Sequence, residues 1–171
     1  TAALTCSLLG DVFLMLPGNY FIPGLASFLV AHLFYIALFR QGLAWFPSRR
    51  ALFIVVAFGA AMYALLWPSL PGPVLKLAVA AYVAAISLMT AQAIGRAAVL
   101  SHDASRWTAV GAGVFMLSDS LIAINKFLQP VPLAPLWILA SYYAAQLLIV
   151  HNVCRTRSAS LRHQDRRTPS A

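Results

Sequence analysis

Acidic residues are nearly absent from this sequence. It contains no glutamate, and its four acids are Asp11, Asp103, Asp119 and Asp165. Charged residues of both signs make up 9% of the chain and hydrophobic residues 61%, and the mean hydropathy is +0.81. Because soluble domains carry roughly 25% charged residues, this composition excludes a soluble globular fold and predicts a protein of the lipid bilayer.

Several catalytic and metal-binding patterns are missing as well. No Walker loop, dinucleotide-binding glycine pattern, serine elbow or HExxH motif occurs. Cys6 and Cys154 lie too far apart for a thiolate metal site or a redox pair, so their expected role is packing. One intramembrane histidine with two aspartates is a weak metal pattern. We therefore expect no metal and no cofactor.

Long apolar runs are abundant, and proline and glycine separate them. A helix needs about 20 residues to cross the bilayer core, and six runs approach that length: 1–16, 21–40, 51–67, 73–95, 107–127 and 133–152. We predict an all-α, polytopic transmembrane helix bundle with six spans over residues 1–153, followed by a basic, disordered tail over 154–171. The abrupt start, without a signal peptide, leads us to expect an N-terminally incomplete sequence.

Basic residues predict the orientation of this bundle. Ten of the twelve lie in the tail or in the connections after the second and fourth runs, whereas Lys76 and Lys126 lie at the opposite edges. By the positive-inside rule, we expect a multi-pass protein of the bacterial cytoplasmic (inner) membrane with a cytoplasmic C-terminus. The net charge of +8 is explained by these edges, so the expected partner is the bilayer and not nucleic acid. The oligomeric state is left open.

Asp11 and Asp119 are the two acids that fall inside apolar runs. Asp11 lies about 9 Å and Asp119 about 12 Å before the end of its span, at 1.5 Å per residue, so the two acids share a depth. An aspartate at a helix centre costs about 2.5 to 3.5 kcal/mol, and we therefore expect both to face the interior and to hold one proton between them. The alternative is that each only accepts a hydrogen bond from a neighbouring helix.

Other polar residues could complete a pocket around the two acids. His32 and Tyr35 are three residues apart and share a helix face, and Tyr143 and Gln146 are expected to face inward together. His32 could equally be a hydrogen-bonded core residue. Asn125 and Lys126 close the fifth span; Lys126 could meet a lipid phosphate or simply extend its amine to the membrane surface.

Four stretches carry a resemblance to a known family: "SLLGDVFLML" (7–16), "FIPGLASFLVAHLFYI" (21–36), "GAGVFMLSDSLIAINKF" (111–127) and "SYYAAQLLI" (141–149). The sequence resembles the YhhN-like lysoplasmalogenases, which are multi-pass membrane proteins. The resemblance implies eight spans in the complete protein, with two upstream of the six found here. The resemblance implies hydrolysis of the vinyl ether of a lysophospholipid substrate, giving a fatty aldehyde and a glycerophospho-headgroup without a cofactor.

This implied chemistry assigns roles to the polar residues. Protonation of the alkene carbon requires an acid, and the resulting oxocarbenium ion is stabilised by an ionised neighbour. We expect Asp11 and Asp119 to share these catalytic roles, with the assignment between them open. The expected substrate-binding residues are His32, Tyr35, Asn125, Tyr143 and Gln146. The alternative function is a proton-coupled transporter of small molecules or lipids that uses the same acids.

Overall fold

The computed structural model describes residues 2–165, with side chains described as far as residue 153. Within this range the chain forms six α-helices, joined by short connections, and no β-strand. The helices are α1 (Ala2–Met15), α2 (Phe21–Arg40), α3 (Arg49–Leu66), α4 (Gly72–Leu100), α5 (Asp103–Phe127) and α6 (Ala134–Asp165). A short 3-10 turn, Trp67–Ser69, follows α3. The predicted all-α class is confirmed.

The six helices correspond one to one with the six predicted spans. Among the described residues, α2 to α6 are each long and apolar enough to cross a bilayer, whereas α1 is apolar but has 14 residues. The apolar side chains that remain exposed, such as Phe53 and Ile54 on α3, suit contact with lipid. The chain is therefore a multi-pass membrane protein. A total of eight spans in a complete protein stays a prediction.

Helix α4 continues to Leu100, five residues beyond the predicted end of the fourth span at about residue 95. Gly95 does not end the helix. A Cβ atom there would lie 2.7 Å from Pro47 Cδ, so glycine allows the connection between α2 and α3 to pack against α4. The helix ends only at Ser101, which adopts a left-handed conformation with φ of 51°.

The connection between α2 and α3 is held by polar side chains of α4. The buried Gln92 accepts a hydrogen bond from the Phe46 amide and donates one to the Ala44 carbonyl. Arg96 donates to the carbonyl oxygens of Phe39 and Gln41, at the C-terminal end of α2. These contacts satisfy backbone groups that a helix end otherwise leaves unpaired.

The helices are arranged in a ring in the order α1, α2, α4, α5 and α6, with α3 packed outside against α4. A hydrogen bond from Tyr142 on α6 to Asp11 on α1 closes the ring. The core inside it is aromatic and includes Phe28, Phe39 and Phe115, all nearly inaccessible to solvent. Polar side chains are also buried in this core, and they form the candidate site.

The two ends of the bundle differ in charge. One end, called the arginine end, carries five described arginines: Arg40, Arg49, Arg50, Arg96 and Arg106. The opposite end, called the lysine end, carries Lys76 in the first turns of α4 and Lys126 in the last turn of α5.

The predicted tail begins inside α6, since the helix extends to Asp165. Residues 166–171 lie outside the described residues. The boundary between bundle and tail at residue 153 therefore stays a prediction.

Candidate functional site

Asp119 lies on α5 opposite a tyrosine of α4. Tyr82 Oη donates a short hydrogen bond to Asp119 Oδ2. Tyr82 is 8% exposed, so this bond forms in a largely dry interior. Because a buried hydroxyl group needs a hydrogen-bond partner, this bond fixes the orientation of the Asp119 carboxyl group relative to Tyr82.

Asp11 terminates a directed chain of hydrogen bonds that runs through three helices. Tyr35 Oη on α2 donates to Gln146 Oε1 on α6 at 2.6 Å, and Gln146 Nε2 donates to Tyr142 Oη at 3.2 Å. Tyr142 Oη in turn donates to Asp11 Oδ2 on α1 at 2.9 Å. Each hydroxyl and amide along the chain has a partner, so the network satisfies its buried groups. We call it the Asp11 relay.

An aromatic layer separates the relay from the Tyr82–Asp119 pair. The ring of Phe115 makes edge contacts with Tyr142 at 5.4 Å and with His32 at 5.1 Å between centroids. His32 makes a similar contact with Tyr82 at 5.2 Å. The two carboxyl groups lie on either side of this layer, where Tyr142 donates to Asp11 and Tyr82 donates to Asp119. The predicted pairing of the two acids around one proton stays a prediction.

His32 is fully buried, and its ring packs between those of Tyr82 and Phe115. Neither imidazole nitrogen has a hydrogen-bond partner of good geometry among the described residues, and the Phe28 carbonyl one turn earlier gives at most a weak interaction. An unpaired buried polar group is costly. Both interpretations of His32, a substrate-binding residue and a core histidine, therefore stay predictions.

A cavity of about 70 Å³ reaches the Tyr82–Asp119 pair from the lysine end. Its polar lining residues are Tyr82, Asp119 and Ser120, and the rest of the wall is apolar, with contributions from α1 to α5. Phe21 and Phe127 lie at its outer end, and Phe28 lies at its inner end. Asp11 is not a lining residue. The cavity therefore combines an apolar wall with one carboxyl group.

A comparison with family models assigns residues 1–153 to the YhhN family. The chain belongs to the YhhN family. It is 37% identical over 159 residues to the human protein "Lysoplasmalogenase TMEM86A", a match that covers 90% of this chain and 64% of the relative. The pig "Lysoplasmalogenase TMEM86B" is 38% identical over 156 residues, with 90% and 62% covered.

A bacterial YhhN relative is similar to the same extent. "Lysoplasmalogenase" of Mycobacterium tuberculosis is 38% identical over 155 residues, covering 86% of this chain and 57% of the relative. The chain thus spans roughly three-fifths of the length of the curated relatives that it matches. No solved structure matches the chain.

Two tyrosines of this YhhN chain were missed by sequence reasoning. Tyr142, which is 6% exposed, takes the inward position expected for Tyr143, which is 57% exposed. The signal was available, because Tyr142 lies four residues before Gln146 and seven before the buried Ile149. Tyr82 was signalled only by a hydroxyl group inside an apolar run, where a buried tyrosine needs a partner.

Asn125 lies apart from the two acids of the YhhN site. Its Oδ1 accepts a hydrogen bond from the Val131 amide at 2.9 Å and so closes the connection between α5 and α6. Its predicted contact with substrate stays untested, as does that of Tyr143. Among the described residues, no group of three His, Cys or Asp side chains is placed to hold a metal ion.

Proposed function

We propose that this chain carries the active site of an integral membrane hydrolase that cleaves the vinyl ether bond of lysoplasmalogens. The products are a fatty aldehyde and a glycerophospho-headgroup. The observation that carries the proposal is the Asp119 carboxyl group at the inner end of an apolar cavity. The printed names of the YhhN relatives, each a lysoplasmalogenase, support the same reaction. The transporter alternative has no support among them.

In this proposal Asp119 is the general acid. Its Oδ2 is fixed by Tyr82, and Oδ1 carries the proton that is transferred to the β-carbon of the vinyl ether. The electron pair of the double bond forms the new C–H bond, and positive charge develops on the α-carbon and the ether oxygen. An apolar wall favours the protonated acid before transfer, because an isolated buried carboxylate is costly.

Asp11 is the second carboxylate of the mechanism. It accepts a hydrogen bond from Tyr142 at the end of the Asp11 relay, and a hydroxyl donor by itself favours the ionised form of a carboxyl group. It would stabilise the oxocarbenium ion electrostatically. Water then adds to the α-carbon and returns a proton to Asp119. The hemiacetal that results separates into the aldehyde and the free glycerol hydroxyl.

The test is aldehyde release from a 1-alkenyl lysophospholipid by the purified full chain. We expect Asp119→Asn to lower kcat by about 10²- to 10⁴-fold, the usual contribution of a general acid. Asp11→Asn should lower it by about tenfold, the equivalent of about 1.4 kcal/mol of charge stabilisation. Asp103→Asn is the matched control, because its side chain is 90% exposed at the arginine end. Equal activity of Asp119→Asn and Asp103→Asn would contradict the proposal.

We also propose that the arginine end faces the bacterial cytoplasm and that the lysine end faces outward. The support is the segregation of arginine to one end, together with the positive-inside rule. In a cysteine-free background, Ser170→Cys and Gln129→Cys should be labelled from opposite sides by a membrane-impermeant maleimide. Labelling of Ser170→Cys from outside intact cells would reverse this orientation.

A further inference from the structure

Lys126 lies at the outer end of the cavity that leads to Asp119. Its Nζ is 4.7 Å from the centre of the Phe21 ring and 5.9 Å from that of Phe127. Both rings line the cavity. Cation–π contacts of this kind are worth about 0.5 to 1 kcal/mol at an exposed site, so they favour an ammonium group held over the mouth of the cavity.

The charge around the lysine end favours an anion. Among residues 2–153, the acidic side chains other than the two site aspartates consist of Asp103, which lies at the arginine end. No carboxylate at the lysine end therefore competes for Lys126. The polar lining groups of the cavity, Tyr82, Asp119 and Ser120, all lie deeper than Lys126. A ligand with one anionic end would place that end outward.

The spacing along α5 gives the length of such a ligand. Asp119 and Lys126 are seven residues apart, which is about 10 Å at 1.5 Å per residue and returns to roughly the same helix face. In a 1-alkenyl lysophospholipid, about seven bonds join the phosphorus to the β-carbon of the vinyl ether. They span about 8 Å when extended, at the rise per bond of an extended chain. The flexible lysine side chain accommodates the difference.

The hydrocarbon tail also has a path. The inner end of the cavity is closed by Phe28, Ile86 and Met116, about one turn beyond Asp119. α2 and α3 both line the cavity but make few contacts with each other. A tail that starts beside Asp119 therefore leaves sideways between these two helices, into the bilayer.

We propose that Lys126 is a substrate-binding residue that holds the phosphate of the lysophospholipid at the cavity mouth and so places its vinyl ether beside Asp119. This inference rests on the proposed function and adds the headgroup contact. It predicts discrimination between a substrate with a phosphate and one without. Lys76 offers a matched control, since it lies at the same end but its amine lies over the ring of Trp67, which does not line the cavity, whereas Phe21 and Phe127 beside Lys126 do.

The experiment compares aldehyde release from 1-alkenyl-glycerophosphoethanolamine and from the phosphate-free 1-alkenylglycerol. We expect Lys126→Gln to raise KM for the phospholipid about fivefold, the equivalent of about 1 kcal/mol, with kcat and the KM for 1-alkenylglycerol unchanged. Lys126→Arg should restore the wild-type KM, and Lys76→Gln should not alter it. The inference is overturned if Lys126→Gln changes both substrates alike, changes neither, or matches Lys76→Gln.

A binding measurement separates this inference from the proposed function. The probes are 1-O-alkyl-glycerophosphoethanolamine and 1-O-alkylglycerol, which lack the vinyl bond. Lys126→Gln should weaken binding of the first about fivefold and leave the second unchanged. If the wild type releases no aldehyde but this Kd ratio holds, the hydrolase proposal fails and the phosphate site stands. An unchanged ratio overturns the phosphate site even in an active enzyme.

Discussion

Replacing Gln146 by leucine tests the Asp11 relay at its centre. Gln146 accepts from Tyr35 and donates to Tyr142, so leucine removes two hydrogen bonds at once. Tyr142 no longer accepts a hydrogen bond from Gln146, but its hydroxyl group still donates to Asp11 and so keeps a partner. Tyr35 is 2% exposed, and in the described part of the chain Gln146 is its sole hydrogen-bond partner. Its hydroxyl is then left buried and unpaired.

Two estimates bracket the cost of Gln146→Leu. An unsatisfied buried polar group costs about 1 to 3 kcal/mol in proteins generally, whereas interhelical hydrogen bonds in membrane bundles average about 0.6 kcal/mol. Since Tyr35 has no access to water, we expect Gln146→Leu to lower the free energy of unfolding by about 1.5 kcal/mol. Tyr35→Phe leaves only the Gln146 carbonyl unpaired and should cost about 1 kcal/mol. The double variant removes both partners and should cost about 1.5 kcal/mol, not the additive sum of about 2.5.

The assay is reversible unfolding of the full chain in mixed micelles, with SDS as denaturant and helicity as the signal. The double-mutant cycle should give a coupling free energy of about 1 kcal/mol between Tyr35 and Gln146. Tyr143→Phe serves as the control, because that ring is exposed. Additive effects of Tyr35→Phe and Gln146→Leu would show that the two side chains do not share a hydrogen bond, and the relay would be refuted.

Two further substitutions test the packing and the acid. Gly10→Ala should destabilise the bundle by about 1 to 3 kcal/mol, because its Cβ would lie 2.5 Å from the Phe28 ring. Gly113→Ala has open space around it and should be neutral or stabilising by up to about 1 kcal/mol. Equal free energies of unfolding for the two variants in SDS would contradict this packing. Tyr82→Phe should lower kcat for aldehyde release about tenfold, because the Asp119 carboxyl group loses the hydrogen bond that orients it. Tyr143→Phe should change kcat less than twofold. Similar kcat values for the two variants would show that Tyr82 does not position Asp119.

The positions of the helices were predictable because composition alone determines them in a membrane protein. Each span must satisfy its own backbone hydrogen bonds in lipid, so an apolar run of sufficient length forms an α-helix. The ends were less predictable. Gly95 suggests a helix end by its residue type, and only the packing of Pro47 against it explains why α4 continues. That contact joins residues far apart in sequence.

The sequence predicted the depth of the site residues in the membrane but not the helix face on which each one lies. The positions of Asp11 and Asp119 before the span ends predicted a common depth, and in the structure each accepts a hydrogen bond from a tyrosine of a neighbouring helix. A rotation of 100° separates Tyr142 from Tyr143 on α6, and both spacings to Gln146 are allowed on one helix face. The choice depends on how α6 packs against α1 and α5, which no local pattern records. The partner of Asp119, Tyr82, lies 37 residues away on another helix.

The two acids differ in surroundings, and that difference assigns their proposed roles. Asp119 lines an apolar cavity and receives a single tyrosine hydroxyl, whereas Asp11 lies outside the cavity lining and terminates a relay of three donors in series. A relay whose donors all point toward Asp11 polarises each bond in the same sense and stabilises a fixed negative charge. We therefore propose that a proton shared by the pair resides on Asp119, the carboxyl group that lines the cavity.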